Sequence, residues 1–222
     1  MTKADVTGNN HTLEVRDTEQ TMAQEKPTLT YFARRGLGEM PRLILVESGI
    51  EWTDNRVDTI DDLKASGKLP YGQVPLLEYP DGFSISQSGA IVRHIARQHG
   101  LYGKNDKEAA EADMVFDGAN DLRLHSRATI GNDTLREKFI SEVLPKWLGF
   151  FEAHLKKNGS SYFVGHDITF ADIAVYNTFY NMQILIPAAK LEGFPLCQKH
   201  FESIASRPRI AEYLKSRPYT AT

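Results

Sequence analysis

Cysteine is almost absent from this chain of 222 residues, in which Cys197 is the one thiol. A single cysteine rules out an internal disulfide framework and suits a reducing compartment, so we expect a cytoplasmic protein in which Cys197 is a small buried hydrophobe. A Cys-x-x-Cys pair is therefore also missing. The chain cannot carry out dithiol exchange with its own sulfur atoms.

Features that would indicate several other kinds of partner are missing too. No apolar run approaches the roughly 18 residues of a membrane span, and residues 1–26 lack the apolar core of a signal peptide. A net charge of −3 argues against a nucleic-acid surface. No glycine-rich loop indicates a nucleotide site, and His94 and His99 are five positions apart, too far for a metal-binding pair on one helix face. We therefore expect that the protein binds no membrane, nucleic acid, metal ion or nucleotide.

The hydrophobic pattern divides the chain into three regions. Residues 1–26 contain few large apolar side chains and cannot offset the entropy of ordering by burial, so they are predicted to be a disordered extension. Residues 27–104 have the order β-α-β, connector, β-β-α, with an antiparallel hairpin at the turn signal PDG. That order is typical of an α/β thioredoxin-like domain. Residues 105–222 have helical periodicity alone, which predicts a second, all-α domain.

Local signals mark the ends of two predicted helices. Ser88 is the predicted N-cap of the second helix in the α/β domain, and Gly100 its C-cap. In the helical domain, Thr169 and Asp172 have the spacing of a capping box.

A tyrosine occupies the position at which thioredoxin-like domains usually do their chemistry. The stretch LTYFARRGLGEMPRLILVESGI, residues 29–50, places Tyr31 where the first strand meets the first helix. A helix N-terminus stabilises a thiolate at such a point. Because Cys197 is far away in the sequence, the sulfur on which the Tyr31 hydroxyl acts must come from a ligand.

Six short stretches together resemble the cytosolic glutathione transferases, specifically the tyrosine-type group that contains the sigma, pi and mu classes. They occur in the family's order over nearly all of the chain beyond the extension. They are YFARRGL (31–37), LKAS (63–66), YGQVP (71–75), SISQSGAIVRHIA (84–96), DMVFDGANDLR (113–123) and FVGHDITFADIAVYN (163–177). The resemblance implies a homodimeric detoxification enzyme that joins glutathione, a co-substrate rather than a cofactor, to hydrophobic electrophiles.

The resemblance also assigns roles to individual residues around the glutathione cysteine. It makes Tyr31 the catalytic hydroxyl, which hydrogen-bonds the glutathione sulfur and favours its thiolate. Val74 would offer extended main chain to the cysteinyl part of glutathione, and Pro75 resembles the family's cis-proline. Gln73 adds a side-chain contact.

The two ends of glutathione are assigned in the same way. Gln87 and Ser88 would hold the γ-glutamyl end beside a helix N-terminus. Lys64 matches the residue that contacts the glycyl carboxylate, although Lys68 stands in an apparent insertion and could serve instead. Asp121 would reach the γ-glutamyl amine of glutathione bound by the other subunit of the dimer.

The chain departs from the family pattern in places that leave its class open. Leu37 stands where sigma and pi members have a second arginine, and the usual tryptophan before the glycyl-binding lysine is missing. The electrophile pocket is expected between the domains, lined by Phe32, Leu37, the stretch around Ile130 and Gly131, and the C-terminal tail near Tyr219.

Two alternatives to a conjugating enzyme remain. A prostaglandin-type isomerase would use the same thiolate on an endoperoxide. A non-catalytic member would be a crystallin-like structural protein or a carrier of apolar ligands.

Overall fold

The computed structural model describes residues 26–218 and residue 220. Two predictions fall outside this part of the chain: the disordered extension, of which Lys26 alone is described, and the contribution of Tyr219 to the electrophile pocket. Within the described residues, a small mixed sheet with flanking helices is followed by a helical region. The predicted fold class is confirmed.

The sheet consists of β1 (Thr28–Phe32), β2 (Thr53–Val57), β3 (Leu76–Glu78) and β4 (Ser84–Ser86). These strands lie in the order β2-β1-β3-β4, with β1 and β2 parallel and β3 antiparallel to both of its neighbours. The turn from β3 to β4 contains Asp81, whose carboxylate accepts the Phe83 N–H at 2.8 Å, and Gly82, whose φ is 92°. This is the hairpin predicted from PDG.

The helices that flank the sheet are α1 (Glu39–Ser48), α2 (Asp61–Ala65) and α3 (Ser88–Gln98), and a 3-10 turn at Gly36–Gly38 leads into α1. The start of α3 differs from the prediction by one residue. Gln87 is the N-cap and Ser88 the first helical residue, because Gln87 has the non-helical backbone, with φ of 73°, that turns the chain from β4 into α3. At the other end His99 is the C-cap, and Gly100 follows it with φ of 69°.

The helical region begins at Asn105, whose side chain caps the first helix by accepting the N–H groups of Lys107 and Glu108. Its helices are α4 (Asp106–Arg127), α5 (Asp133–Lys138), α6 (Leu144–Asn158), α7 (Phe170–Leu185), α8 (Pro195–Ala205) and α9 (Pro208–Ser216), with a π-helical turn at Phe139–Val143 between α5 and α6. The predicted capping box at the start of α7 is confirmed.

One hydrophobic core runs through both regions. Leu43 of α1 and Ile95 of α3 belong to the same buried cluster as Phe170 and Phe179 of α7, and all four side chains are almost completely buried. Helix α1 packs against α3, α7 and α9, so it is shared by the sheet region and the helical region. Among the described residues, no helix combines the length and the apolar character needed to cross a membrane.

Candidate active site

Tyr31 lies near the end of β1 with its side chain 5% exposed. Its ring packs beneath the 3-10 turn, and the packing is so close that no larger residue fits above it. A Cβ atom on Gly36 would lie 2.5 Å from the Tyr31 hydroxyl, and one on Gly38 would lie 2.4 Å from the ring. The glycines in the sequence RGLG are therefore what allows the turn to sit on the tyrosine.

The Tyr31 hydroxyl oxygen accepts a hydrogen bond from the backbone N–H of Leu37 at 3.0 Å. Because this oxygen already serves as an acceptor, the hydroxyl proton is available for a different partner. Donation from the N–H also polarises the hydroxyl and makes it a better donor. A group held in this way can donate a hydrogen bond to an anionic sulfur.

Arg42 fixes the loop that follows Tyr31, and sequence analysis did not identify it. The guanidinium is completely buried; it donates to the carbonyl oxygens of Arg34 at 2.8 Å and Phe32 at 3.3 Å, and it pairs with Asp54 at 3.0 Å. It also lies 5.7 Å from the centre of the Tyr31 ring. The available signal was an arginine on the apolar face of an amphipathic helix, since a charged residue is seldom buried without partners.

Several of the predicted glutathione-binding residues lie together beside Tyr31. Val74 packs with Tyr31 in a small buried cluster, and the peptide bond between Val74 and Pro75 is cis. Gln87 and Gln73 are exposed, and their side-chain amides are in long contact at 3.4 Å. The chain thus brings the loop before β3 and the N-terminus of α3 to one place.

Gln87 has a backbone conformation that residues other than glycine rarely adopt. Its φ is 73°, and it is the one described non-glycine residue with a positive φ. Such a conformation costs free energy and is maintained where the surrounding structure requires it, commonly at binding sites. It leaves Ser88 partly exposed in the first turn of α3. Sequence analysis did not predict the backbone of Gln87, because glutamine carries no signal for it.

The two lysines proposed for the glycyl carboxylate have different surroundings. Lys68 forms an ion pair with Glu78 at 2.8 Å. Lys64 lies on α2, is exposed, and forms no ion pair within the described part of the chain. A carboxylate ligand would have to compete with Glu78 for Lys68, so the geometry favours Lys64 as the cation for such a ligand.

Asp121 is not brought to the other site residues within a single chain. It is exposed on α4 and is not among the residues that line the cavity between the two regions. This cavity has a volume of about 360 Å³. It is lined by Gly36, Leu37, Met40, Gln87, Ser88, Gly89, Ala90, Arg93, Phe116, Asp117, Ala119, Asn120, Arg123, Ala174, Asn177 and Thr178.

The residues predicted to form the electrophile pocket do not line one common space in the structure. Leu37 lines the cavity between the regions, whereas Phe32 lines a separate, more open depression with Val57 and Asp58. Successive side chains of a strand point to opposite faces, which separates Phe32 from the side of Tyr31. Ile130 is 54% exposed and lines neither space.

The protein's own thiol is remote from this chemistry. Cys197 is completely buried in α8, where its sulfur contacts the carbonyl oxygen of Leu148. Burial raises the pKa of the Cys197 thiol, and the neighbouring Glu152 raises this pKa further. Cys197 is therefore an inert thiol, and its complete burial agrees with the small buried hydrophobe predicted from the sequence.

Comparison with known proteins decides the family. The glutathione S-transferase N-terminal domain model matches residues 27–97, and the C-terminal domain model matches residues 121–217. A glutathione S-transferase of Plasmodium falciparum is 36% identical over 202 residues, which cover 85% of this chain and 95% of the relative. The chain belongs to the cytosolic glutathione S-transferases.

Solved structures of glutathione S-transferases agree with this fold. The crystal structure of the enzyme from Ascaris lumbricoides has a TM-score of 0.80 and 35% sequence identity, over 89% of this chain and all of that one. A prostaglandin synthase D of Nilaparvata lugens has a TM-score of 0.78 and 27% identity, over 88% of this chain and all of that one. The transferase fold is thus shared with an enzyme named for prostaglandin synthesis.

Proposed function

We propose that this glutathione transferase ionises the glutathione thiol with the Tyr31 hydroxyl and joins the thiolate to hydrophobic electrophiles, in a detoxification role. The observation that carries the proposal is the hydrogen bond from the Leu37 N–H to the Tyr31 oxygen at 3.0 Å, which turns the tyrosine into a positioned donor. The inert character of Cys197 supports a ligand as the source of the sulfur. A hydrogen bond to the charged form of a thiol lowers its pKa.

Glutathione would lie along the surface that joins the β3 loop to the start of α3. In this proposal Val74 and Pro75 present main chain to its cysteinyl part, while Gln73, Gln87 and Ser88 hold the γ-glutamyl half. The contact between the two glutamines at 3.4 Å supports their action on one ligand. Lys64 is assigned to the glycyl carboxylate because Lys68 is paired with Glu78.

Three further parts of the proposal rest on the family. We assign a homodimer in which Asp121 serves the glutathione site of the other subunit, and its exposure on α4 in the single chain supports that role. Glutathione is the co-substrate, and no separate cofactor is invoked. A cytoplasmic location agrees with the single, buried cysteine.

The direct test is conjugation of a chloro-dinitrobenzene by the purified chain, measured with and without glutathione. We expect turnover that requires both the protein and glutathione, with release of chloride and formation of a thioether. Absence of glutathione-dependent turnover, with glutathione still bound, would instead support a carrier or a structural role.

A second candidate is isomerisation of a prostaglandin-type endoperoxide by the same thiolate. The structural similarity to the prostaglandin synthase D of Nilaparvata lugens supports this second candidate function. Product analysis separates the two activities, because an isomerase returns glutathione unchanged and a conjugating enzyme consumes it. An endoperoxide converted at constant glutathione concentration would establish the second activity.

A further inference from the structure

Arg123 is a positive charge inside the cavity between the two regions. It is half-buried on α4, and its guanidinium lines the same space as Leu37 and Ser88. Both Nε and Nη2 donate to the side-chain oxygen of Asn120, at 3.0 and 2.8 Å. This neutral acceptor holds the guanidinium in position without cancelling its charge.

The charge of Arg123 is not neutralised by a carboxylate in the described part of the chain. The other arginine of this cavity, Arg93, differs in that it pairs with Asp113 and Asp117. Burial lowers the pKa of Arg123, the neighbouring Arg127 charge lowers it further, and Tyr31 acts in the opposite direction. Arg123 nevertheless stays protonated at neutral pH, because an arginine does not lose its proton in proteins.

The surroundings of Arg123 suit a molecule that is mostly apolar but carries one polarised oxygen. Leu37, Met40, Phe116 and Ala119 supply apolar surface in the cavity. The Leu37 residue also donates its N–H to the hydroxyl of Tyr31, which connects this cavity to the proposed position of the thiolate. An uncompensated charge in a partly water-excluded cleft is a strong site for a developing anion.

We propose that the Arg123 guanidinium stabilises the oxygen on which negative charge develops when the glutathione thiolate attacks an electrophile, so that the enzyme favours α,β-unsaturated carbonyl compounds. This inference rests on the proposed conjugating function. The thiolate sulfur forms a bond to the β-carbon, the electron pair of the carbon–carbon double bond moves toward the carbonyl, and an enolate oxygen results. Arg123 binds that oxygen, after which a proton from solvent is added to the α-carbon. Solvent has already received the thiol proton, so the whole step is an addition of the thiol.

The test compares two electrophiles of similar size. Benzylideneacetone accepts the thiolate with charge on its carbonyl oxygen, whereas benzyl chloride loses chloride and develops no charge on oxygen. We expect Arg123→Met to lower kcat/KM for benzylideneacetone roughly a hundredfold, as removal of one donor to a developing oxyanion does elsewhere, and to leave kcat/KM for benzyl chloride within about twofold. Arg123→Lys should recover part of the loss, because it restores the charge without the planar fork.

The matched control is Arg127→Met, which removes the same charge from the exposed end of the same helix. Both electrophiles should react with this variant at wild-type rates, because Arg127 does not line the cavity. Two results for Arg123→Met would overturn the assignment. One is an equal loss of kcat/KM for both electrophiles, which leaves the ratio of the two values unchanged, and the other is a raised KM for glutathione with both. A wild-type protein that conjugates neither compound would instead refute the proposed conjugating function, and the two failures are therefore distinguishable.

Discussion

The hydroxyl of Tyr31 has one observed and one proposed hydrogen-bonding task. It accepts from the Leu37 N–H at 3.0 Å, and it has one proton of its own to donate. The first task depends on Gly36, since any side chain there would collide with the hydroxyl at 2.5 Å. The second needs a ligand, because the inert Cys197 is buried elsewhere.

Tyr31→Phe removes the hydroxyl proton that, in the proposed mechanism, acts on the glutathione sulfur. The substitution removes little volume, so we expect the fold to survive. Loss of a donor to an anion costs about 2.7 to 4 kcal/mol, which corresponds to about a hundredfold or more in kcat. The pH at half-maximal kcat/KM should rise toward about 8.5, the pKa of a free thiol. The ultraviolet absorbance of the bound thiolate should disappear at neutral pH. A variant that keeps both its rate and its thiolate band would refute the role of Tyr31.

Lys64 and Lys68 offer a second test at the level of single side chains. We expect Lys64→Ala to raise the KM for glutathione about two- to fivefold with kcat unchanged, because an exposed ion pair contributes less than about 1 kcal/mol. Lys68→Ala is the matched control, since Lys68 is already paired with Glu78. The KM of this variant for glutathione should stay at the wild-type value. Steady-state kinetics at varied glutathione decide between them, and the reverse result would assign the glycyl carboxylate to Lys68.

At the scale of elements, the sequence predicts best where a structure is encoded by neighbouring residues. The capping box of Thr169 and Asp172 and the PDG turn depend on residues within three positions of one another, and both were predicted. The buried guanidinium of Arg42 depends on Asp54, a distant partner on another element, and the positive φ of Gln87 belongs to the turn from β4 into α3, which glutamine does not signal. Sequence periodicity contains no information on those contacts, so both features of the site were missed.

Asp172 takes part both in the local capping box and in contacts with residues distant in the sequence. Its carboxylate accepts the N–H and the hydroxyl of Thr169, and also the N–H of Phe163 at 2.8 Å. The same carboxylate meets Nε2 of the buried His200 at 3.1 Å. One side chain therefore starts α7, holds the segment before it, and ties α8 to both.

We expect Asp172→Ala to lower the free energy of unfolding by about 3 to 5 kcal/mol, because it leaves buried donors without an acceptor. For a chain of this size the melting temperature should fall by roughly 8 to 15 °C. Asp167→Ala is the control, since Asp167 is exposed and pairs with Lys104 at the surface, and its melting temperature should stay within about 2 °C of wild type. Thermal denaturation followed by circular dichroism tests both, and equal melting temperatures for the two variants would contradict the prediction.

At the scale of the whole molecule, α1 connects the loop after Tyr31 to the helical region. The buried Glu39 of this helix is paired with Arg217 and lies 3.6 Å from Arg42, which holds the loop after Tyr31. At its other end Glu47 is paired with Arg207. Arg207 and Arg217, which flank α9, thus contact the same helix whose Arg42 holds the loop after Tyr31, so the two regions form one structural unit.

The largest-scale prediction concerns Asp121, which should act on glutathione bound by the other subunit of a homodimer. Asp121→Ala should raise the KM for glutathione roughly tenfold, because a charge-assisted hydrogen bond is worth about 1.5 to 3 kcal/mol. Sedimentation should still show a dimer. Glu111→Ala, which removes an exposed carboxylate from the same helix, should leave KM unchanged.

A mixed dimer tests whether Asp121 acts between subunits. One subunit carries Asp121→Ala and the other carries Tyr31→Phe. If Asp121 serves the opposite site, one of the two sites then combines an intact Tyr31 with an intact Asp121. The mixed dimer should therefore show about half of the wild-type rate at glutathione concentrations below KM. If Asp121 acts within its own chain, each site lacks one of the two groups, and the rate should stay near that of the single variants. A dimer that behaves in the second way would restrict Asp121 to its own subunit and remove the functional reason proposed here for dimerisation.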